Sequence, residues 1–228
     1  MVYALKLAQL SHAWGGAAPL FEITQLALPQ GENLFIQGPS GCGKSTLLGM
    51  LAGVISVSHG QLEVLGHDMV KLSSVARDRL RGEHMGVIFQ QFNLLPYLDV
   101  RANVLLPTRL FASRAQAAVQ EWGDAQTQAL HLIQTLGLPS SVWHQPVHQL
   151  SVGQQQRVAA VRALMGSPRL VIADEPTSAL DDANQQEFLD LLLGSARKQA
   201  ASVVMVSHNA HLAQRFDHVF AMPLRRQA

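Results

Sequence analysis

The sequence predicts an α/β fold built on a mostly parallel sheet. Short apolar segments typical of strands alternate with segments whose apolar residues recur at helical spacing, which is the pattern of βαβ units. A glycine-rich loop stands directly between one such strand and one such helix. Around residues 92–162 only helical patterns occur, which predicts a helical insertion into the sheet domain.

The individual elements follow from apolar periodicity, capping residues and glycine or proline stops. Strands are predicted at 21–28, 33–37, 60–66 (in a hairpin), 85–89, 170–174, 202–207 and 218–222. Helices are predicted at 44–53, 73–82 with Ser73 as N-cap, 113–136 before Gly137 and Pro139, from near 151 to 166, and at 186–198.

Composition fits one compact unit. The chain has 228 residues, of which 48% are hydrophobic and 14% charged, and its net charge of +1 gives no overall attraction to nucleic acid or an anionic bilayer. With Cys42 as the one cysteine, no intrachain disulfide can form. The first residues lack the charge pattern of a secretory signal, and no run of 18 apolar residues occurs, so another chain must cross any membrane that this protein serves.

The glycine-rich loop "GPSGCGKST" matches G-x-x-x-x-G-K-[ST] in the strand-loop-helix context that a P-loop requires. Its glycines let backbone N–H groups surround phosphate oxygens, Lys44 neutralises phosphate charge, and the Ser45 hydroxyl can ligate Mg²⁺. Cys42 is most simply a small residue that fits the loop. The predicted ATP-binding residues here are Gly38, Pro39, Ser40, Gly41, Cys42, Gly43, Lys44, Ser45 and Thr46.

A pair of carboxylates, Asp174 and Glu175, follows the apolar run "LVIA". Beside a phosphate loop, Asp174 can hold Mg²⁺ through water, and Glu175 can orient or deprotonate an attacking water. Taken alone, the pair also suits an acidic helix cap before Pro176. A residue that activates water favours hydrolysis of a nucleoside triphosphate over phosphate transfer to another substrate.

With these motifs in place, "LSVGQQQR" from Leu150 to Arg157 resembles the Leu-Ser-Gly-Gly-Gln signature of ABC (ATP-binding cassette) transporters. From about Leu7 to Met222 the chain resembles the nucleotide-binding subunit of that family. The resemblance implies a single domain, 1–228, with a P-loop NTPase core at about 1–91 and 163–228. It also implies an antiparallel β subdomain, a helical subdomain at about 92–162, and a head-to-tail dimer of two cassettes around ATP and Mg²⁺.

By the same resemblance, the Ser151 hydroxyl and the Gly153 N–H bind the γ-phosphate that the partner's P-loop lysine holds, and Gln154 lies near the ribose. Val152 departs from the family's glycine. Because the implied contacts come from Ser151 and Gly153, we expect a working signature.

Four further segments match the family in the expected order. The resemblance implies that Gln90 reaches Mg²⁺ and water and acts in catalysis with Lys44, Glu175 and His208. The segment after Gln90 would accept a helix of a membrane partner. His208 would lie near the γ-phosphate, Asp181 in a loop that crosses the dimer, and Trp14 against the adenine. Taken alone, Trp14 also suits core packing, His208 a satisfied polar side chain after a strand, and Gln90 an ordinary strand end.

Two other departures concern the second half of the chain. Asn209 stands where the family often has aspartate, and Pro223 and a short basic end replace a further strand. Neither is expected to stop hydrolysis, and the short end argues against a C-terminal regulatory domain.

The stretch around "RLRGEHMGVIFQQFNLLPYLDV" resembles the branch that contains lipoprotein-releasing, macrolide-exporter and cell-division ATPases. This implies a homodimer that drives a separate few-span permease from the cytoplasmic face of the inner membrane, without nucleic acid. The alternative is a soluble ABC ATPase that acts on nucleic acid or the ribosome, although such proteins usually carry two cassettes or long insertions. A P-loop kinase or GTPase is disfavoured by the signature.

Overall fold

The computed structural model describes residues 2–15 and 18–223, and its strands form two sheets. A parallel sheet contains β3 (Leu34–Gln37), β6 (Met85–Ile88), β7 (Leu170–Asp174), β8 (Ser202–Val206) and β9 (His218–Ala221). An antiparallel sheet contains β1 (Tyr3–His12), β2 (Phe21–Pro29), β4 (His59–Val64) and β5 (His67–Asp68). The predicted α/β fold with a β subdomain is therefore confirmed.

The helices accompany these sheets in chain order. They are α1 (Lys44–Leu51), α2 (Ser74–His84), α3 (Val100–Leu110), α4 (Ala112–Trp122), α5 (Ala125–Thr135), α6 (Val152–Leu164) and α7 (Asp182–Lys198). Short 3₁₀ turns occupy Ser140–Val142, Val147–Gln149 and Ala210–Arg215. Among the described residues, none of these helices combines the length and the apolar character needed to cross a bilayer.

Strands β3, β6, β7 and β8 of the parallel sheet are buried on both faces, which explains why they read as continuous apolar runs, whereas the edge strand β9 is mostly exposed. In β3, Phe35 packs into a cluster with side chains of α3, α5, α6 and α7, whereas Leu34 and Ile36 pack with α1 and the antiparallel sheet. Successive strand residues point to opposite faces, so the same short strand contributes to both cores.

The element β1 was not predicted, and its backbone shows why. Gln9 has a left-handed φ of 51°, and the register between β1 and β4 shifts between Ala8 and Ser11. A Cβ on Gly60 would lie 2.2 Å from the Gln9 carbonyl oxygen, so the two backbones come unusually close there. This bulge interrupts the alternation of apolar and polar residues by which a strand is recognised.

The prediction of one helix over 113–136 is wrong, because the chain forms α4 and α5 there. Gly123 ends α4 with a φ of 82°, and Asp124 then caps α5 by accepting hydrogen bonds from the N–H groups of Gln126 and Thr127 at 2.7 and 2.8 Å. A Gly-Asp pair is both a stop and a start signal. The apolar spacing continues across it and concealed the break.

The remaining predicted elements are confirmed, with ends that move by a few residues. Ser73 caps α2 as predicted, since its side chain accepts a hydrogen bond from the Ala76 N–H at 3.2 Å. Helix α3 and the short β5 were not predicted individually. The basic end at residues 224–228 lies outside the described residues.

Candidate functional site

Four loops meet at the carboxyl-terminal edge of the parallel sheet. They follow β6, β7, β8 and β3, which lie side by side in that order. In the same order they carry Gln90, the pair Asp174–Glu175, His208 and the glycine-rich segment 38–46. Since parallel strands end at a common edge, the topology brings together motifs that are far apart in the sequence.

The glycine-rich loop leads from β3 into α1. Gly41 and Gly43 have left-handed φ angles of 78° and 96°, and Gly43 is the N-cap of α1. A Cβ on Gly43 would also lie 2.7 Å from the Phe21 ring. Only glycine meets both requirements. The loop therefore presents the positive end of the α1 dipole, with Lys44 as the first helical residue.

Lys44 is buried, and its ammonium group donates hydrogen bonds to the carbonyl oxygens of Gly38 and Pro39 at 2.8 and 2.9 Å. Within residues 2–15 and 18–223 it forms no ion pair, so its charge remains available to an anion. Cys42 is buried beside it, and a Cβ on Gly38 would lie 2.8 Å from the Cys42 sulfur. Cys42 thus fills space in the loop, as its residue type suggested.

A polar cavity of about 250 Å³ lies over this loop. Its lining consists of Leu20, Ser40, Gly41, Gly43, Lys44, Ser45, Thr46, Glu175 and His208. All of these except Leu20 were predicted site residues. Leu20 was missed because an apolar side chain in a loop gives no chemical signal.

A larger cavity of about 470 Å³ lies on the antiparallel sheet, and its lining includes no residue of these loops. Its charged lining residues all have partners, since Lys6 pairs with Glu63 at 3.8 Å and Asp68 pairs with Lys71 at 3.0 Å. The Lys6 ammonium also lies 4.4 Å from the centre of the Tyr3 ring. These groups satisfy each other, so the smaller cavity over the glycine-rich loop is the chemically equipped one.

Glu175 and His208 form a carboxylate-imidazole pair at the cavity. The His208 Nε2 lies 2.6 Å from the Glu175 Oε1. The Glu175 backbone has a left-handed φ of 46°, and its N–H donates to the Val206 carbonyl at 3.0 Å, which ties the end of β7 to β8. A strained conformation at a non-glycine residue is typical of functional positions. A carboxylate held in this way can accept a proton from a water molecule in the cavity.

Asp174, at the end of β7, has a buried Oδ1 atom that lacks a hydrogen-bond partner among the described residues. Buried carboxylate oxygens are costly to leave unpaired, so this atom fits a bound cation or its water. Ser45 lies on the lining of the adjacent cavity and offers a hydroxyl oxygen. This oxygen-only donor set suits Mg²⁺.

Gln90 and Trp14 are among the predicted site residues that lie outside the cavity lining. Gln90 is exposed in the turn after β6. Trp14 is 58% exposed, and its ring packs edge to face against buried His12 at a centroid distance of 4.6 Å. An exposed indole of this kind can stack on an aromatic ligand.

The stretch "LSVGQQQR" forms the capped start of α6. The Ser151 hydroxyl accepts from the Gln154 N–H at 3.2 Å, and the Gln154 side chain accepts from the Ser151 N–H at 3.0 Å. This reciprocal capping box explains why a serine and a glutamine stand three residues apart. In the single chain the Gln154 amide therefore serves its own helix, and neither Ser151, Gly153 nor Gln154 lines the cavity.

Asp181 and Asn209 likewise cap local structure. Asp181 is the N-cap of α7, and the hydrogen bonds from the backbone and side chain of Asn184 lower the pKa of its carboxyl. The Asn209 Oδ1 accepts from the His211 N–H at 3.1 Å, while its NH₂ donates to Gln185 at 2.9 Å. An aspartate could cap the turn but could not donate to Gln185. This hydrogen bond explains why asparagine suits position 209.

A P-loop at the edge of a parallel sheet, next to a carboxylate-imidazole pair, defines a nucleoside triphosphatase of the P-loop class. The chain belongs to the ABC transporter family, whose model matches residues 21–178. It is thus an ATP-binding and ATP-hydrolysing transporter subunit, as the sequence predicted.

Individual relatives agree with this assignment. The chain is 39% identical over 204 residues to the lipoprotein-releasing system ATP-binding protein LolD of Xanthomonas axonopodis pv. citri, across 90% of this chain and 80% of that protein. It is 35% identical over 217 residues to LolD of Legionella pneumophila, across 95% and 92%. The solved dimer of the cassette MJ0796 with ADP and Pi has a TM-score of 0.80 and 28% identity, across 96% and 94% of the two chains. The resemblance to the lipoprotein-releasing branch is confirmed.

Val152 should not impair the signature. It is the first residue of α6, its backbone does not have a left-handed φ, and its side chain is 52% exposed. Its position therefore does not require glycine. We expect Val152→Gly to leave ATP turnover within about twofold and to lower the free energy of unfolding by about 0.5 kcal/mol. Val75→Gly, in the first turn of α2, is the matched control for helix propensity alone. Turnover that rises severalfold in Val152→Gly only would show that the valine weakens the signature.

Proposed function

We propose that this chain hydrolyses ATP between two copies of itself and drives a separate membrane permease of the type served by lipoprotein-releasing ATPases. The observation that carries the hydrolytic part is the 2.6 Å contact of Glu175 with His208 beside the P-loop cavity. The proposal also assigns roles to single residues, to a metal ion, to a second copy of the chain and to a membrane partner.

For hydrolysis, Lys44 and the N–H groups of the P-loop bind the phosphates, and Trp14 stacks on the adenine. Glu175 takes the proton of the attacking water, and His208 fixes the direction of that carboxylate. Ser45, Asp174 and Gln90 would hold Mg²⁺. The strongest support is the buried Asp174 Oδ1, which has no hydrogen-bond partner among the described residues. When bound, Mg²⁺ offsets charge on the phosphate oxygens.

We infer a dimer because the P-loop cavity of one chain does not include its own signature residues. Ser151, Gly153, Gln154 and Asp181 lie outside the cavity that the P-loop lines, although the family places these segments at the nucleotide. A second copy in head-to-tail orientation would supply its Ser151 hydroxyl and Gly153 N–H across the interface. The solved MJ0796 neighbour with ADP and Pi is a dimer, which supports this arrangement.

For the permease, the support is a groove of about 310 Å³ between the sheet domain and the helices, here called the apolar groove. It is lined by Arg81, Gly82, Met85, Gly86, Val87, Phe89, Asn93, Leu106, Pro107, Leu110, Phe111, Arg114, Arg162 and Ala163. Leu110 is 69% exposed, and Phe89 is exposed as well. Exposed apolar surface beside a cleft is typical of a protein interaction site. A helix on the cytoplasmic side of a permease would bury it.

The test is capture of the tagged chain from detergent-solubilised membranes. We expect a few-span membrane protein to accompany the wild type and Val119→Asp, and to be lost with Leu110→Asp. Val119 is the matched control, because it is an exposed apolar residue on α4 outside the groove lining. Ribosomes or nucleic acid in place of a membrane protein would favour the soluble ABC ATPase. Equal capture by the two variants would remove the groove from the interaction.

A further inference from the structure

The turn that follows Gln90 has an unusual backbone. Phe92 and Asn93 have left-handed φ angles of 60° and 48°, and neither is glycine. Asparagine tolerates this conformation, but phenylalanine rarely adopts it. Two successive residues of this kind persist only where surrounding structure holds them.

Arg162, on the signature helix α6, holds this turn. Its two terminal nitrogens donate to the carbonyl oxygens of Asn93 and Phe92, each at 2.7 Å. Burial lowers the pKa of the Arg162 guanidinium, in keeping with its position between helix and turn. The guanidinium offers each carbonyl its own nitrogen in a fixed planar fork, whereas a lysine at this position would have to reach both oxygens from a single nitrogen.

The rest of the segment is fixed from another side. Asn103 in α3 is fully buried, and its side chain accepts from the Leu95 N–H at 2.8 Å and donates to the Leu95 carbonyl at 3.1 Å. The chain between Gln90 and α3 is therefore pinned to α6 at one end and to α3 at the other. Gln90 lies between the end of β6 and this pinned turn, which the Phe92 N–H closes by donating to the Phe89 carbonyl at 2.9 Å.

The two ends of α6 face different sites. Its first turn carries Ser151 and Gly153, whereas Arg162 near its last turn lines the apolar groove together with Asn93. Several residues of α6 are buried in the core, so the helix is a rigid support for Arg162. The turn at Phe92 and Asn93 is thereby held by the helix that presents the signature.

We propose that Arg162 is a positioning residue for ATP hydrolysis. By holding the carbonyls of Phe92 and Asn93 against α6, it fixes the left-handed turn that sets the position of Gln90. This inference rests on the proposed role of Gln90.

The first test compares two arginines of the same helix in ATP turnover by the purified full-length chain. Arg157 also donates to a carbonyl, that of Leu136 at 2.7 Å, but not to the turn. We expect Arg162→Ala and Arg162→Lys to lower kcat by roughly three- to thirtyfold with KM for ATP nearly unchanged. Arg157→Lys should leave both constants near the wild type. Equal losses in Arg157→Lys and Arg162→Lys would overturn the inference.

The second test separates positioning from simple structural support. Glycine adopts left-handed φ freely, so Asn93→Gly should restore much of the kcat lost in Arg162→Ala, and should change the wild type little. Thermal unfolding of each variant identifies a general loss of folding, which glycine would not repair. Failure of rescue with intact folding would overturn the role of Arg162.

Gln90→Ala in the same assay tests the proposed function separately. Normal turnover in Gln90→Ala would remove that residue from hydrolysis, whereas the glycine rescue reports on the Arg162 bridge by itself.

Discussion

Glu175→Gln is expected to lower ATP turnover by roughly 10²–10⁴, the range typical of a positioned general base. The amide is nearly isosteric with the carboxylate, so the strained backbone at φ 46° and the bond of its N–H to Val206 should persist. What is lost is the basic oxygen that faces His208 at 2.6 Å. Steady-state hydrolysis with Mg²⁺ measures the effect.

ATP binding should survive this change, because the phosphate contacts of the P-loop do not involve Glu175. The variant should therefore accumulate as an ATP-bound dimer on a sizing column. Glu63→Gln, on the antiparallel sheet, is the matched control and should behave as the wild type. Near-normal turnover in Glu175→Gln would exclude the residue as the base, and loss of ATP binding would point to misfolding of the loop.

Asp174→Asn should lower ATP turnover but raise the stability of the metal-free protein. If the buried Oδ1 atom serves Mg²⁺, its replacement should lower turnover by roughly 10² and raise the Mg²⁺ concentration needed for half-maximal activity. In EDTA the same change should raise the free energy of unfolding by about 1 kcal/mol, because the buried Oδ1 position then belongs to a neutral amide and no longer to a carboxylate. Hydrolysis over a Mg²⁺ titration and urea unfolding in EDTA measure the two effects.

The control for stability is Asp217→Asn. The Asp217 carboxylate accepts from the Asn33 N–H at 2.8 Å and faces Arg197, so this carboxylate has its partners and its replacement should destabilise the fold. Destabilisation of Asp174→Asn in EDTA would mean that the carboxylate has a structural partner, and would contradict its assignment to the metal.

Much of the candidate site was predictable because its signals are local. The P-loop needs glycines at fixed positions before a lysine and a hydroxyl residue, and Gly41 and Gly43 do have the left-handed φ that only glycine adopts freely. The start of α6 was also predictable, since Ser151 and Gln154 form a capping box from neighbouring residues. Apolar runs likewise identified every strand of the parallel sheet.

Other features depend on contacts between distant residues. The bulge in β1 follows from its close approach to Gly60, and Leu20 reaches the cavity because of the path of the loop before β2. The sequence predicts that the signature tolerates Val152, and the structure adds the reason that this residue begins α6 without a left-handed φ. Residue spacing does not specify which strands pair with each other or which neighbouring element a helix end contacts.

The sequence by itself determined the chemical groups, their order and the class of reaction, because phosphate binding and water activation require particular residue types in local patterns. The tertiary structure decided which groups meet: Glu175 with His208 over the P-loop, and Arg162 with the turn after Gln90. It also buries an Asp174 oxygen that has no hydrogen-bond partner in the part of the chain that the structure describes. It also separates Ser151 and Gly153 from the cavity of their own chain. The physical reason is that strand order and helix packing set distances between residues that the chain itself keeps far apart.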